Sequence, residues 1–253
     1  MKNAPAIVAA IAASLALTAC TGARPSIPRA AIDRALSSAP YAAQPSLVVA
    51  REIAFARAAR ENGQWTAFRA FAADDAVIHG RNGPVSAKPL LATLSDPEKP
   101  VQWSPRTVMM SCDGKMAVSA GRFRDPEGLV GNFVTVWERD GFEGDYEWSY
   151  DVAGLDDPQP APVEQEEGAI VVTAYDAVQG LVADCPPAGT TIDAPTPLVW
   201  EGALASGESR SPDGTLVWQW GQFDNGLKRV QARFWKDGAW QKIVDRRLES
   251  PPE

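Results

Sequence analysis

The sequence predicts an α+β fold: three helices packed on a strongly curved antiparallel sheet, followed by a C-terminal antiparallel β meander. Three observations carry this. Residues 101–155 hold four β-branched and aromatic runs, VQWSPRTVMMSC, KMAVSAGRFR, LVGNFVTVWER and YEWSYDVAGL, separated by turn residues. Residues 46–94 place apolar side chains at helical spacing around one short strand. Residues 198–248 repeat the strand-and-hairpin texture and are short of helices. With 253 residues, 45% of them apolar, the chain can bury a substantial core as one large or two small domains. The net charge is −8 and no Lys/Arg run is dense enough to neutralise phosphates, so no nucleic acid partner is expected.

Taken in order, residues 1–19 begin with Lys2 and continue through AIVAAIAASLALTA. This is an apolar run of secretory length, too short and too rich in small residues for a comfortable membrane span. It ends in Leu17-Thr18-Ala19-Cys20, which resembles the lipobox of bacterial lipoproteins, where signal peptidase II cuts before a cysteine that carries diacylglycerol. The resemblance implies a signal peptide over 1–19, lipidation of Cys20 and a membrane anchor in the bacterial cell envelope, facing the periplasm. Thr21, rather than Asp, looks like the pattern that permits transfer to the outer membrane. An ordinary signal peptide with a chance cysteine is the alternative.

Residues 20–45 hold Pro25, Pro28, Pro40 and Pro45 and read as a tether. With Cys20 acylated, Cys112 and Cys185 remain, and an oxidising compartment favours a disulfide between them that bridges the two halves of the protein.

The first folded unit is predicted over 46–155. Ser46 can cap a helix running to Asn62, which Gly63 ends. A second helix over 64–73 carries Trp65, Phe68 and Phe71. A short strand follows at 76–80, then a turn at Asn82-Gly83-Pro84 and a third helix over 87–94, capped by Ser86. Pro89 is tolerable in its first turn, where its missing N–H has no partner to lose. Cys112-Asp113-Gly114, Asp125-Pro126-Glu127-Gly128 and the turn from Asp140-Gly141 to Asp145 then link the four strands. Phe133, Thr135 and Trp137 share one face of their strand and Val130, Val134 and Val136 the other; Tyr146, Trp148, Tyr150 and Val152 read as a one-sided set. Apolar residues on both faces imply that both are covered. The helices cover one; a second copy of the chain, or the rest of this chain, covers the other.

The stretch 156–168, DDPQPAPVEQEEG, reads as an acidic, Pro-rich linker before a β-rich region over 169–248. Strands are expected at 169–174, 198–205, 215–222, 227–236 and 239–248; 175–185 is ambiguous and 186–197 is a Pro-punctuated loop. The pattern Ser111-x-Asp113-Gly114 with Gly121-x-Phe123 recurs as Ser211-x-Asp213-Gly214 with Gly221-x-Phe223. Duplication and convergent hairpin chemistry explain this echo about equally well.

The order helix, helix, strand, helix, four antiparallel strands resembles the nuclear transport factor 2-like superfamily, which includes ketosteroid isomerase-like and polyketide cyclase-like proteins. The stretches that carry it are REIAFARAARENGQWTAFRAFAADDAVIHG, MSCDGKMAVSAGRFRDPEGLVGNFVTVWER and YEWSYDVAGL. The resemblance implies a cystatin-like cone with a pocket at its open end, and dimers among relatives. No catalytic motif of that superfamily is matched.

Three pocket candidates stand out. Glu52 falls inside the apolar arc of Val48, Val49, Phe55, Ala56 and Ala59, so it lines a pocket or is paired, and Arg122 is the partner its strand parity proposes. His79, the only histidine, either transfers protons or is a half-buried strand-end residue. Tyr150 and Asp151 match the residue types of ketosteroid isomerase-like chemistry, but as strand neighbours they point to opposite faces. No G-x-S-x-G elbow and no His/Cys cluster of zinc spacing is present, and no cofactor or metal is expected. The leading expectation is a non-catalytic module binding a small apolar ligand or an envelope protein. The alternative is an isomerase, cyclase or lyase with an acid–base residue in the cone.

Overall fold

The computed structural model describes residues 43–141, 144–161, 177–187 and 189–250. The predicted signal peptide, Cys20, the tether up to residue 42, the linker from residue 162 and the strand expected at 169–174 lie outside the described residues.

Helix α1 (Pro45–Asn62) starts at proline, whose fixed φ suits the first turn. Gln44, not Ser46, occupies the capping position, and no side chain bonds there. Gly63 ends α1 at φ 103° and leads directly into α2 (Gln64–Phe71). The free N–H groups of α2 are met from a distance: Asp96 Oδ1 accepts from Trp65 N at 2.6 Å and Thr66 N at 3.0 Å, and Oδ2 accepts from Thr66 Oγ1 at 2.6 Å. Strand β1 (Ala72–Gly80) then pairs antiparallel with β2 (Gly83–Ser86), so the predicted turn continues into a strand, and α3 (Ala87–Thr93) follows.

Strands β3 (Gln102–Met110), β4 (Met116–Arg124), β5 (Val130–Glu138) and β6 (Glu147–Leu155) pair antiparallel in chain order, as expected. Strand β1 joins β6 in parallel, and β7 (Gln179–Val182) joins β3 in parallel. The resulting seven-stranded sheet, β2-β1-β6-β5-β4-β3-β7, is therefore mixed rather than antiparallel throughout. Its β1 arrives from a helix, and its β7 from beyond the linker, so neither is held to its parallel neighbour, β6 or β3, by a hairpin. Strands β8 (Ala205–Arg210), β9 (Leu216–Gln222), β10 (Lys228–Lys236) and β11 (Ala239–Leu248) form a separate antiparallel sheet, β11-β10-β9-β8.

The strand expected at 198–205 is absent; β8 begins where that run ends. The preceding segment instead lies across the outer face of the second sheet. Arg210 and Arg233 donate to the carbonyls of Ile192 and Thr196, Trp240 Nε1 donates to Asp193 O at 2.9 Å, and a side chain at Gly221 would meet the Trp200 ring.

The molecule has three layers and two cores. Helices bury Val48, Phe55, Ala59 and Leu91 against Val108, Met110, Ala117, Trp137 and Trp148 of the first sheet. On its other face, Met109, Val118, Val134, Val136, Tyr150 and Val152 meet Leu216, Trp218, Val230, Ala232, Phe234 and Leu248 of the second sheet. The C-terminal region thus occupies the face for which a second copy was the other option. Each large apolar side chain buried this way contributes about 1.5–3 kcal/mol.

A bulge corrects one reading. Val136 pairs with Tyr150 but Trp137 pairs with Trp148, leaving Ser149 as an extra residue. Tyr146 and Trp148 therefore face the helices, while Tyr150 and Val152 face the second sheet.

The sequence echo is an echo of structure. Ser111 Oγ donates to Asp113 Oδ1 at 2.6 Å and accepts from Met116 N; Ser211 Oγ donates to Asp213 Oδ1 at 2.6 Å and accepts from Leu216 N. The two turns also touch, through Asp113 N to Asp213 Oδ2 (2.7 Å) and Cys112 N to Thr215 Oγ1 (2.9 Å). Beside them Cys112 and Cys185 are joined as a disulfide, with Cα atoms 5.2 Å apart.

Candidate functional site

Between the helices and the first sheet lies a cavity of about 520 Å³. Phe55 of α1, Trp65 and Phe68 of α2, Trp103 of β3, Phe123 of β4 and Phe133 of β5 form its walls. Phe55 centres the cluster, with ring centroids 4.8 Å from Phe68 and 4.9 Å from Trp103, both edge-on. The floor depends on two glycines. Gly121 lies opposite Phe133 and Gly131 opposite Phe123, and a Cβ at either would strike the facing ring. Without those Cβ atoms, the rings lie across the strands and line the cavity. Ala153, also in the lining, is exposed to solvent.

Glu52 is fully buried behind this wall. Its Oε1 accepts from Trp103 Nε1 at 2.9 Å; its Oε2 accepts from Trp137 Nε1 and Ser119 Oγ, both at 2.8 Å. Burial raises its pKa to about 7, against the lowering effect of these three donors. Arg122 is not its partner. The parity reading was right that Arg122 shares a face with Met116, Val118 and Ala120, but that face looks toward the second sheet. Arg122 instead grips Asp156 with both Nη atoms, at 2.8 and 2.5 Å, and Asn132 Nδ2 joins them at 2.8 Å.

His79 stands near the end of β1, as read, but is buried and satisfied rather than half-buried. Gln222 turns its amide N–H groups to the carbonyls of Arg81 and Phe223, so its Oε1 faces His79 Nε2 at 2.8 Å. The imidazole therefore carries its proton on Nε2, and Nδ1 accepts from the Tyr150 hydroxyl at 2.5 Å. Burial lowers the His79 pKa to about 4 and raises that of Tyr150 well above its usual range, so both stay neutral. The ring borders the cavity edge, but both of its nitrogens are engaged.

The carboxyl that does reach the cavity is Asp151. It lies opposite Ile78 in the β1–β6 register, and Thr135 Oγ1 donates to its Oδ2 at 2.7 Å. It is enclosed by protein, yet half-buried by exposure because its remaining surface opens into the cavity. Burial raises its pKa to about 6, and its charge helps to raise that of Glu52. Sequence parity separated Asp151 from Tyr150 correctly, but the bulge at Ser149 decided which of them faced the helices. An acid in the middle of the strand run YEWSYDVAGL, opposite Thr135, was the available signal.

Sequence reading also missed Lys228 and Ser250, which reach the cavity from the second sheet and its C-terminal end. Their approach depends on how the two sheets dock. The chain matches no family model and no curated protein.

Proposed function

We propose that this protein is a lipid-anchored, periplasm-facing envelope protein whose helix-and-sheet unit is a nuclear transport factor 2-like domain that binds a small apolar molecule without converting it. The observation that carries the binding reading is the cavity of about 520 Å³ with six aromatic side chains in its lining. That volume lies within the range that encloses small organic ligands. The two residues expected to do acid–base work, Glu52 and His79, have their hydrogen-bonding atoms committed to Trp103, Trp137, Ser119, Tyr150 and Gln222. The superfamily reading draws on the order of helices and strands, and on helices and sheet enclosing the cavity. The lipobox Leu17–Cys20 supports the anchor.

The binding test uses N-phenyl-1-naphthylamine, an uncharged probe that brightens in apolar surroundings. Saturable binding is expected, and Ala153→Trp, which fills the exposed end of the cavity, weakens it by about tenfold or more. A probe signal that never saturates, or equal binding by the variant, removes the reading. For the anchor, mass spectrometry of the mature protein is expected to find Cys20 at the N-terminus carrying diacylglycerol, a modification that Cys20→Ala abolishes. An N-terminus without lipid refutes lipidation there.

One observation favours the isomerase, cyclase or lyase alternative: Asp151, with its pKa raised to about 6, has an oxygen open to the cavity. A carboxylate there can remove a proton beside a ketone. Exchange of such protons for deuterium in heavy water, seen with the wild type and lost in Asp151→Asn, would move the assignment from binding to catalysis.

A further inference from the structure

The second sheet contributes a cation to the cavity. Lys228 opens β10 on the face turned toward the first sheet and is 3% exposed. Among the described residues its Nζ makes one hydrogen bond, to Ser250 Oγ at 2.7 Å, and that hydroxyl in turn donates to Gly226 O at 2.8 Å. Both Lys228 and Ser250 line the cavity. An ammonium group has three N–H donors, so two find no acceptor among the described residues. No carboxylate of the described residues forms an ion pair with Nζ. The nearby acid, Glu249, accepts from Arg247 Nε at 2.8 Å. Burial draws the Lys228 pKa down to about 8, opposed by Glu249 and reinforced by Arg81, a second cation in the cavity lining. The amine therefore still carries its charge at neutral pH.

A buried ammonium with one neutral partner is costly unless something else meets its charge. Lys228 and Asp151 enter the lining from different sheets. Lys228 comes from the second sheet, whereas Asp151 sits on the first sheet under the helices, beside Thr135. An anion entering beside Asp151 would meet a like charge; beside Lys228 it would gain a charge-assisted hydrogen bond.

We propose that the cavity takes a ring-bearing apolar molecule with one anionic end, and that Lys228 holds that end. This rests on the binding reading above and specifies its ligand class. The aromatic walls take the rings, Lys228 and Ser250 take the anion, and the open Asp151 oxygen can meet a hydroxyl elsewhere on the ligand.

The test compares two probes with the same rings, 8-anilinonaphthalene-1-sulfonate and the uncharged N-phenyl-1-naphthylamine, on the folded protein, with Ala153→Trp defining binding outside the cavity. The wild type is expected to bind the sulfonate about tenfold more tightly than the neutral probe, a typical effect of a charge-assisted contact. Lys228→Gln abolishes that preference and leaves the neutral probe within about twofold; Lys228→Arg keeps most of it. If Lys228→Gln does not fold, the wild-type ratio and Lys228→Arg decide. Equal binding of the two probes by the wild type, or an unchanged preference in folded Lys228→Gln, overturns the role of Lys228 while leaving apolar binding intact. Failure of the neutral probe to bind removes the binding reading itself, and this inference with it.

Discussion

Glu52 shows how far a single residue could be read. Its place within the apolar arc of α1 identified it as buried, and it is. Its partners were beyond reach, because strand parity gives a face but not the layer covering that face. Arg122 pointed as its parity required, toward a sheet whose docking no local pattern records. The indole donors come from β3 and β5 and meet Glu52 only once the helix has packed. The site carries a pH signature. Burial holds the Glu52 pKa at about 7 in the fold, against an ordinary 4.5, so the folded protein holds this proton more tightly than the unfolded chain. The stability it contributes is complete below about pH 4.5 and is lost as pH rises through about 7. Asp151, raised to about 6, acts in the same direction. His79 acts in the opposite one: its lowered pKa contributes stability above about pH 6.5 that is lost as pH falls through about 4. Comparison with Glu52→Gln largely cancels the contributions of the last two residues. Between about pH 4 and 8, the stability of the wild type relative to Glu52→Gln should fall by roughly 3 kcal/mol, measured by urea denaturation across that range. A constant difference would mean that Glu52 titrates normally.

At the scale of elements, hairpin chemistry was the most legible part of the chain. β11 has the predicted bounds, and the four-strand run β3–β6 pairs in the predicted order. Misreadings arose where a long-range contact overrides a local signal. Residues 198–204 have the composition of a strand but cover the second sheet, and Ser149 bulges so that both halves of β6 bury their rings in different cores. Asp96 lies just beyond α3 in sequence but caps α2, about thirty residues earlier. That cap explains Gly63. Its φ of 103° and ψ of 145° belong to a region almost reserved for glycine, and a Cβ there would overlap the Asp96 carboxylate. Gly63→Ala should cost about 1–3 kcal/mol from the backbone conformation alone, with the overlap adding to it. Introducing Asp96→Ala into that variant should relieve the overlap but not the backbone cost, so a double-mutant cycle in urea should show positive coupling. Purely additive losses would mean that the carboxylate does not crowd Gly63.

At the scale of the whole molecule, the second sheet is part of the first sheet's core rather than an appendage. It buries Val118, Val134, Val136, Tyr150 and Val152, fixes His79 through Gln222, and brings Lys228 to the cavity. The sequence showed that both faces of the first sheet needed cover. It could not show what covered the second, because a patch of valines is equally suited to a second copy and to a distant part of the same chain. The disulfide and the paired turns fasten this arrangement at one end, where Cys112 N and Asp113 N donate to Thr215 and Asp213 of the second sheet. The Cys112–Cys185 link spans a sequence separation of 73 residues, and a loop of that length should stabilise the protein by about 4 kcal/mol through restriction of the unfolded chain. The variant Cys112→Ser/Cys185→Ser should therefore lose about that much stability yet still unfold in one step, because the two sheets share a core that neither can release alone. Amide exchange can follow β4 and β9 separately in the same sample. Equal protection in the two strands, reduced together in the variant, is the expected result. Early loss of protection in β9 alone would show that the sheets are held together by the disulfide and not by the residues packed between them.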